Sequence, residues 1–99
     1  MNELPVELLQ RMAEVLKVLA HPHRLKIVEI LKLQQEAPVH AIIARLGLPQ
    51  ATISQHLNQM RRVGLVKARR DGKEVWYSIA DPSSLTILDC IQKKRGNHR

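Results

Sequence analysis

Five prolines divide this chain into short segments, and their positions constrain the fold more than any other feature. Each of them precedes or opens a stretch with helical periodicity, where the fixed φ of proline and its missing N–H do no harm. They are Pro5, Pro22, Pro38, Pro49 and Pro82. The pattern predicts five helices. Because 99 residues are too few for two independent cores, we expect these helices to form one domain that spans residues 1–99.

The first predicted helix, within residues 1–20, has more apolar residues than one buried face requires. This surplus indicates that the helix packs on its own domain and also on a second subunit. The last predicted helix, within residues 83–95, has an apolar stripe at Leu85, Leu88 and Ile91 on an otherwise polar surface. Both ends of the chain therefore offer apolar surface.

The charge of the chain favours an anionic partner. The formal net charge is +7, and residues 37–80 hold seven lysines and arginines against two acids. One tryptophan, one tyrosine and no phenylalanine leave few rings for stacking unpaired bases, so a duplex fits better than a single strand. No signal-peptide pattern and no membrane-length apolar run is present in the sequence. We expect a cytoplasmic protein with no membrane partner.

Residues 39–63 have the pattern of a helix-turn-helix. A short helix stops at Gly47, and a second helix follows Pro49, which offers it no side-chain cap. One side of the second helix, at about 100° per residue, is apolar and consists of Ile53, Leu57 and Met60. The opposite side has short side chains that can hydrogen-bond to base edges. The predicted base-reading residues are Gln50, Ala51, Ser54 and Gln55.

Residues 65–79 have the pattern of a basic β-hairpin, because two β-prone runs flank Asp71-Gly72. Beside a helix in the major groove, such a wing contacts phosphates or the adjacent minor groove. The predicted backbone and wing contacts are Asn58, Arg61, Arg62, Lys67, Arg69, Arg70 and Lys73. Together these segments predict a mainly α winged helix-turn-helix with five helices and a two-stranded antiparallel wing.

Two segments resemble a known family. LKVLAHPHRLKIVEIL at 16–31 and LGLPQATISQHLNQMRRVGLVKARRDGKEVWYSI at 46–79 are similar to the ArsR/SmtB family of small bacterial winged-helix repressors. The resemblance implies a homodimer of the first and last helices that binds an imperfect inverted repeat in double-stranded DNA until an inducer releases it. It also implies DNA contacts at the four base-reading positions. The expected dimer interface comprises Leu8, Leu9, Met12, Leu16, Leu85, Leu88 and Ile91.

The usual metal sites of this family are incomplete in the sequence. Many members have a Cys-x-Cys pair at the start of the third helix, where this chain has Pro38-Val39-His40. A second family site begins with an aspartate that Asp81 matches, but its other ligand positions hold Ser83, Lys94 and Asn97. One carboxylate does not hold a transition metal, which needs three or four ligands. We therefore predict no metal and no cofactor, and the sequence names no inducer.

Structural roles are expected for the remaining candidate ligands. His21 and His23 lie at a helix start, where capping or solvent exposure is expected. We expect His40 to be exposed and His56 to lie at the margin of the core. Cys90 is expected to be buried by packing, with thiol sensing as the alternative.

Two alternative functions stay open at this point. One is a winged-helix protein-interaction module with a basic face, and the other is a repressor that responds to metal or thiol chemistry at a non-standard site. No phosphate-binding loop, dinucleotide fingerprint or paired nucleophile and base indicates an enzyme.

Overall fold

Five helices and three strands follow one another in the computed structural model, which describes residues 2–97 and, for Gly96 and Asn97, the backbone alone. They are α1 (Val6–Leu19), α2 (Pro22–Gln34), β1 (Ala37–Pro38), α3 (Val39–Leu46), α4 (Gln50–Arg62), β2 (Val66–Asp71), β3 (Glu74–Ile79) and α5 (Ser83–Asn97). The five predicted helices are confirmed. The predicted domain range of 1–99 also includes Met1, His98 and Arg99, which lie outside the described residues. No helix in the described part of the chain has the length and apolar character to cross a membrane.

The sheet has three strands in the described residues, one more than the sequence predicts. β2 and β3 form the predicted antiparallel hairpin, and β1 pairs with the other edge of β3. In that pairing Ala37 lies opposite Tyr77 and Pro38 lies opposite Trp76. A two-residue strand that contains proline has no sequence signal of its own, and proline is compatible only with an edge position such as this one.

The hairpin turn lies one residue later than predicted. Asp71 still pairs with Glu74, so the two loop residues are Gly72 and Lys73 rather than Asp71 and Gly72. Gly72 has a φ of +63°, in the left-handed region that glycine adopts without steric cost. Lys73 therefore lies at the tip of the wing.

α2 is the central helix of the core and contacts α1, α3, α4, α5 and the sheet. It buries Ile27, Val28, Ile30 and Leu31, as expected for a helix surrounded by other elements. The other elements contribute the remaining core side chains. These are Val15, Leu19, Ala37, Ile42, Ile53, Leu57, Met60, Leu65, Val66, Tyr77 and Leu88.

A glycine turn joins α3 to α4. Gly47 has a φ of +68°, and its N–H donates to the Ile43 carbonyl at 2.8 Å, which ends α3. α4 begins after Pro49, which makes no side-chain cap, as the sequence predicts. The first backbone bond of α4 runs from the Ile53 N–H to the Pro49 carbonyl at 3.1 Å.

α1 leaves much of its apolar surface uncovered in the single chain. Val15 and Leu19 are buried against the core, and Met12 is half-buried. Leu8, Leu9 and Leu16 are 39%, 48% and 47% exposed. Large apolar side chains with this exposure form a surface that a second copy of the chain could cover.

α5 directs most of its apolar stripe at its own chain, because it packs on α2. Leu88 is only 5% exposed and belongs to the core, and Leu85 is partly buried against the same core. Leu88 is therefore corrected to a core residue that stabilises the packing of α5 on α2, whereas the half-buried Leu85 stays a predicted interface residue. Ile91 is 42% exposed and remains available to a partner.

Candidate nucleic-acid interface

The outward side of α4 is polar apart from Ala51. It consists of Gln50, Ala51, Ser54, Gln55, Asn58, Arg61 and Arg62, all of them exposed except the half-buried Ser54. Within residues 2–97, none of these side chains makes a hydrogen bond or an ion pair. They span an arc of about 140° at 100° per residue. α4 therefore offers a continuous surface of free hydrogen-bonding groups.

The inward side of α4 is buried as the sequence predicts. Ile53, Leu57 and Met60 are fully buried in the core. His56 lies at the margin of this side and is 8% exposed, which agrees with its expected position. The two sides of α4 thus have separate roles, because one packs against the domain and the other faces solvent.

An arginine on α2 holds the buried histidine of α4. The Nε of Arg24 donates to Nδ1 of His56 at 3.0 Å. The same guanidinium donates through Nη1 to the Val18 carbonyl at 3.1 Å. Arg24 therefore connects α1, α2 and α4. No local pattern in the sequence predicts a link between Arg24 and His56, because 32 positions separate them.

The start of α4 lies beside the tip of the wing. Gln50 and Ser54 line a surface groove together with Lys73, Val75 and Tyr77 from the hairpin. The structure thus brings two of the predicted base-reading residues next to a predicted wing contact. Arg61 and Arg62 lie at the other end of α4, about 15–18 Å further along the helix axis.

The pairing of β2 with β3 separates the basic wing residues into two groups. Directly opposite residues in an antiparallel pair point to the same face of the sheet. Arg70 lies opposite Val75, which lines the groove beside α4. Lys67 and Arg69 alternate with Arg70 along β2 and therefore point to the other face. Of the predicted wing contacts, Arg70 and Lys73 lie on the side of α4, whereas Lys67 and Arg69 do not.

Arg69 is engaged within the chain. Its guanidinium donates two hydrogen bonds to the Glu36 carboxylate, at 2.8 and 3.0 Å, and lies 5.8 Å from the ring centre of Trp76. Hydrogen bonding from Arg69 holds the pKa of Glu36 below its ordinary value. The pair connects the residue that precedes β1 to the middle of β2, so Arg69 holds the wing to the domain.

Three histidines meet at the start of α2. The ring centres of His21 and His56 are 4.6 Å apart, those of His21 and His23 are 5.2 Å apart, and those of His23 and His56 are 5.8 Å apart. One ring nitrogen from each histidine lies within 4.8 Å of the other two. His21 also caps α2 by accepting the His23 backbone N–H at Nδ1, at 3.1 Å, which confirms the capping role expected there. The sequence predicts separate roles for these histidines and does not predict their association.

The surroundings of His21 and His56 favour the neutral forms of these two side chains. Burial, the charge of Arg24 and the neighbouring His23 lower the pKa of His21. Burial is also the largest cause that lowers the pKa of His56, followed by His21, Arg24 and His23. Neutral imidazole rings retain a lone pair that can accept a hydrogen bond or bind a metal.

The other candidate sensor residues are separated from one another. Asp81 caps α5, since its carboxylate accepts the Ser83 N–H at 2.9 Å, and this bond lowers the Asp81 pKa. His40 is exposed as predicted and lies 3.5 Å from a carboxylate oxygen of Glu74. Cys90 is exposed rather than buried, because it faces away from the side of α5 that packs on α2. Its expected burial is therefore wrong for the single chain.

Comparison with known proteins identifies the family. Residues 21–68 match the family described as "Bacterial regulatory protein, arsR family". The transcriptional repressor PagR of Bacillus anthracis is 49% identical over 79 residues, which cover 80% of this chain and 79% of PagR. The chain belongs to the arsR family.

Solved structures agree with this membership of the arsR family. The crystal structure of PagR has a TM-score of 0.80 and 42% identity, and the match covers 88% of this chain and 99% of the PagR chain. A homodimeric winged helix-turn-helix DNA-binding domain from Mycobacterium bovis has a TM-score of 0.81 and 33% identity. The match covers 99% of this chain and 90% of the M. bovis chain. The repressor SmtB of Mycobacterium tuberculosis is 40% identical over 88% of this chain, which spans 64% of SmtB. The family, the winged helix-turn-helix fold and the regulatory rather than enzymatic class predicted from the sequence are confirmed.

Proposed function

We propose that this arsR-family protein is a dimeric, sequence-specific DNA-binding repressor of transcription. The observation that carries the proposal is the unpaired polar side of α4, which lies beside the wing tip. Such a helix fits the major groove, where amide side chains read adenine and a hydroxyl contacts either a base or a phosphate. PagR and SmtB are both named as repressors, which supports repression rather than activation of transcription.

The residues divide into two groups in this proposal. Gln50, Ala51, Ser54 and Gln55 read base edges from the start of α4, as the N-terminal residues of recognition helices do. Backbone contacts come from Asn58, Arg61, Arg62, Arg70 and Lys73. Lys67 and Arg69, on the other face of the wing, contribute to the positive field and to the position of the wing instead.

A symmetric dimer supplies the second recognition helix. The exposed apolar side chains of α1, together with Ile91 of α5, form the interface with the second copy. Two α4 helices related by a twofold axis reach successive major grooves about 34 Å apart, so the operator is an inverted repeat in double-stranded DNA.

The test is a footprint on the promoter region of the gene that encodes this protein, followed by affinity measurements on the protected duplex and on a shuffled duplex. Removing two base contacts with Gln50→Ala and Ser54→Ala should reduce the preference for the protected duplex about 10-fold or more. Gln34→Ala, an exposed glutamine on α2, is the control and should leave the preference unchanged. Equal binding of both duplexes by the wild type, with no footprint, would instead indicate a basic protein-interaction module.

A further inference from the structure

The cluster formed by His21, His23 and His56 has no part in the DNA contacts proposed above. Two of its members come from the start of α2 and the third from the inward side of α4. None of them corresponds to the family metal positions discussed for the sequence, which lie at the start of α3 and on α5. The cluster nevertheless touches the helix proposed to read DNA.

We propose that His21, His23 and His56 bind a late first-row divalent metal ion of the zinc class, and that binding breaks the link between Arg24 and His56. Three imidazoles with no carboxylate suit Zn²⁺, Ni²⁺ or Cu²⁺, whereas Mg²⁺ and Ca²⁺ require oxygen ligands. A fourth position would be taken by water, since His21 and His23 are only half-buried.

The geometry requires only a small movement of the rings. The three ring nitrogens lie within 4.8 Å of one another. In a tetrahedral site with Zn–N distances of about 2.0–2.1 Å, the ligand nitrogens are roughly 3.3 Å apart. Rotation of the two half-buried side chains at the start of α2 can close this difference, and it releases the His23 N–H that Nδ1 of His21 accepts. Arg24 opposes the site by its charge, so the metal binds only if the guanidinium moves away.

The metal and the Arg24 link exclude each other for a chemical reason. In the present arrangement Nδ1 of His56 accepts the Arg24 N–H, so the ring proton is on Nε2. A metal at Nδ1 would consume the lone pair that accepts this hydrogen bond. A metal at Nε2 would require the ring proton to move to Nδ1, which would then face the guanidinium as a second donor. Either way, Arg24 loses its acceptor on α4.

The link from α4 to α1 through Arg24 is then lost, and coordination of His56 joins α4 to His21 and His23 at the start of α2 instead, which changes the position of α4. The position of α4 relative to the wing decides whether its outward residues fit the major groove, so metal binding should weaken operator binding. This second step rests on the proposed function. By thermodynamic linkage, operator binding must lower the affinity for the metal by the same factor as the metal lowers the affinity for the operator.

Metal binding is tested first, on the full chain without DNA. The chain has five histidines, so the double variant His40→Gln with His98→Gln keeps the cluster and removes the other two. Calorimetric titration with Zn²⁺ should give one ion per chain for the wild type and for this control, and Co²⁺ should give the visible absorption of a tetrahedral site. His23→Gln, a half-buried position outside the Arg24 link, should reduce zinc affinity at least about 10-fold. Unchanged zinc affinity in His23→Gln, or no zinc binding by the wild type, overturns the site.

The coupling is tested on the protected duplex with and without Zn²⁺. Zinc should weaken binding of the wild type and of the control by the same ratio, and this ratio should approach one in His23→Gln. Zinc binding that leaves DNA affinity unchanged overturns the coupling but not the site. A wild type that binds zinc but shows no footprint contradicts the proposed function alone.

Discussion

Arg24 and His56 are joined by a 3.0 Å hydrogen bond between the guanidinium Nε and the imidazole Nδ1, although 32 residues separate them in the sequence. The acceptor lies on the buried side of α4 and the donor on α2, so the bond fixes the rotation and position of one helix against the other. A second bond from Arg24 to the Val18 carbonyl extends this connection to the end of α1. The outward side of α4 is therefore oriented by a contact made on its inward side.

Replacing Arg24 should lower both the stability of the folded chain and its affinity for DNA. Arg24→Gln deletes a charge-assisted hydrogen bond to a residue that is 8% exposed, which should lower the free energy of unfolding by about 1–2 kcal/mol. Urea denaturation measures this change. Lys26→Gln on the same helix is the control, since it removes only an exposed ion pair with Glu29 and should cost less than about 0.5 kcal/mol. Equal losses in the two variants would show that Arg24 does not hold α4.

The fold was largely accessible from the sequence because its signals are local. Proline positions, the glycine after α3 and the apolar periodicity predicted five helices, and α3 ends at Gly47 as predicted. The third strand was missed because two residues carry no periodicity, so β1 exists only through its pairing with β3. Leu88 was misassigned for a related reason, since a stripe on α5 does not reveal whether it faces α2 or a partner.

The candidate interface was only partly accessible from the sequence. The polar side of α4 follows from the angular positions of its residues, which the sequence fully determines. The separation of Lys67 and Arg69 from Arg70 follows from strand alternation, which the sequence of the hairpin already contains. The histidine cluster and the Arg24 link depend on how α2 packs against α4, and no spacing rule connects those positions.

The two faces of the wing should respond differently to the loss of charge. Arg70→Gln or Lys73→Gln should each lower the slope of log affinity against log salt by about one unit, because each variant removes one phosphate contact. Lys67→Gln makes the same change in net charge on the other face and should change the slope much less. Fluorescence anisotropy with the protected duplex at several salt concentrations measures these slopes. The same slope loss in Lys67→Gln and Arg70→Gln would contradict the division by face.

The histidine cluster should make stability depend on pH in a defined window. The pKa of His56 is lowered in the folded chain, mainly by burial and then by His21, Arg24 and His23, from an ordinary value of 6.5. Below pH 6.5 the unfolded chain binds more protons than the folded chain. The contribution of His56 to stability is therefore complete above about pH 6.5, and it is lost as the pH falls from there towards the lowered pKa of the folded chain.

The expected result is a lower urea midpoint at about pH 5.5 than at about pH 7.5, with a smaller difference in His56→Gln. Glu36 and Asp81 do not explain a loss in this window, because their pKa values are lowered and their contributions disappear only at more acidic pH. His40→Gln is the matched control, since it removes an exposed histidine outside the cluster. A pH dependence that is the same in the wild type and in His56→Gln would assign the effect to other groups.

The uncovered apolar side of α1 should determine the oligomeric state. Leu16→Glu places a carboxylate where the proposed interface would bury it without a partner, at a cost of several kcal/mol. This cost should raise the dimer dissociation constant more than about 100-fold, which sedimentation equilibrium can measure. Leu33→Glu is the control, because Leu33 is 65% exposed on α2 and even more accessible than Leu16 at 47%. If both variants stay dimeric, the dimer forms through another surface. If only Leu16→Glu becomes monomeric and loses affinity for the full inverted repeat, α1 provides the interface that positions the two α4 helices.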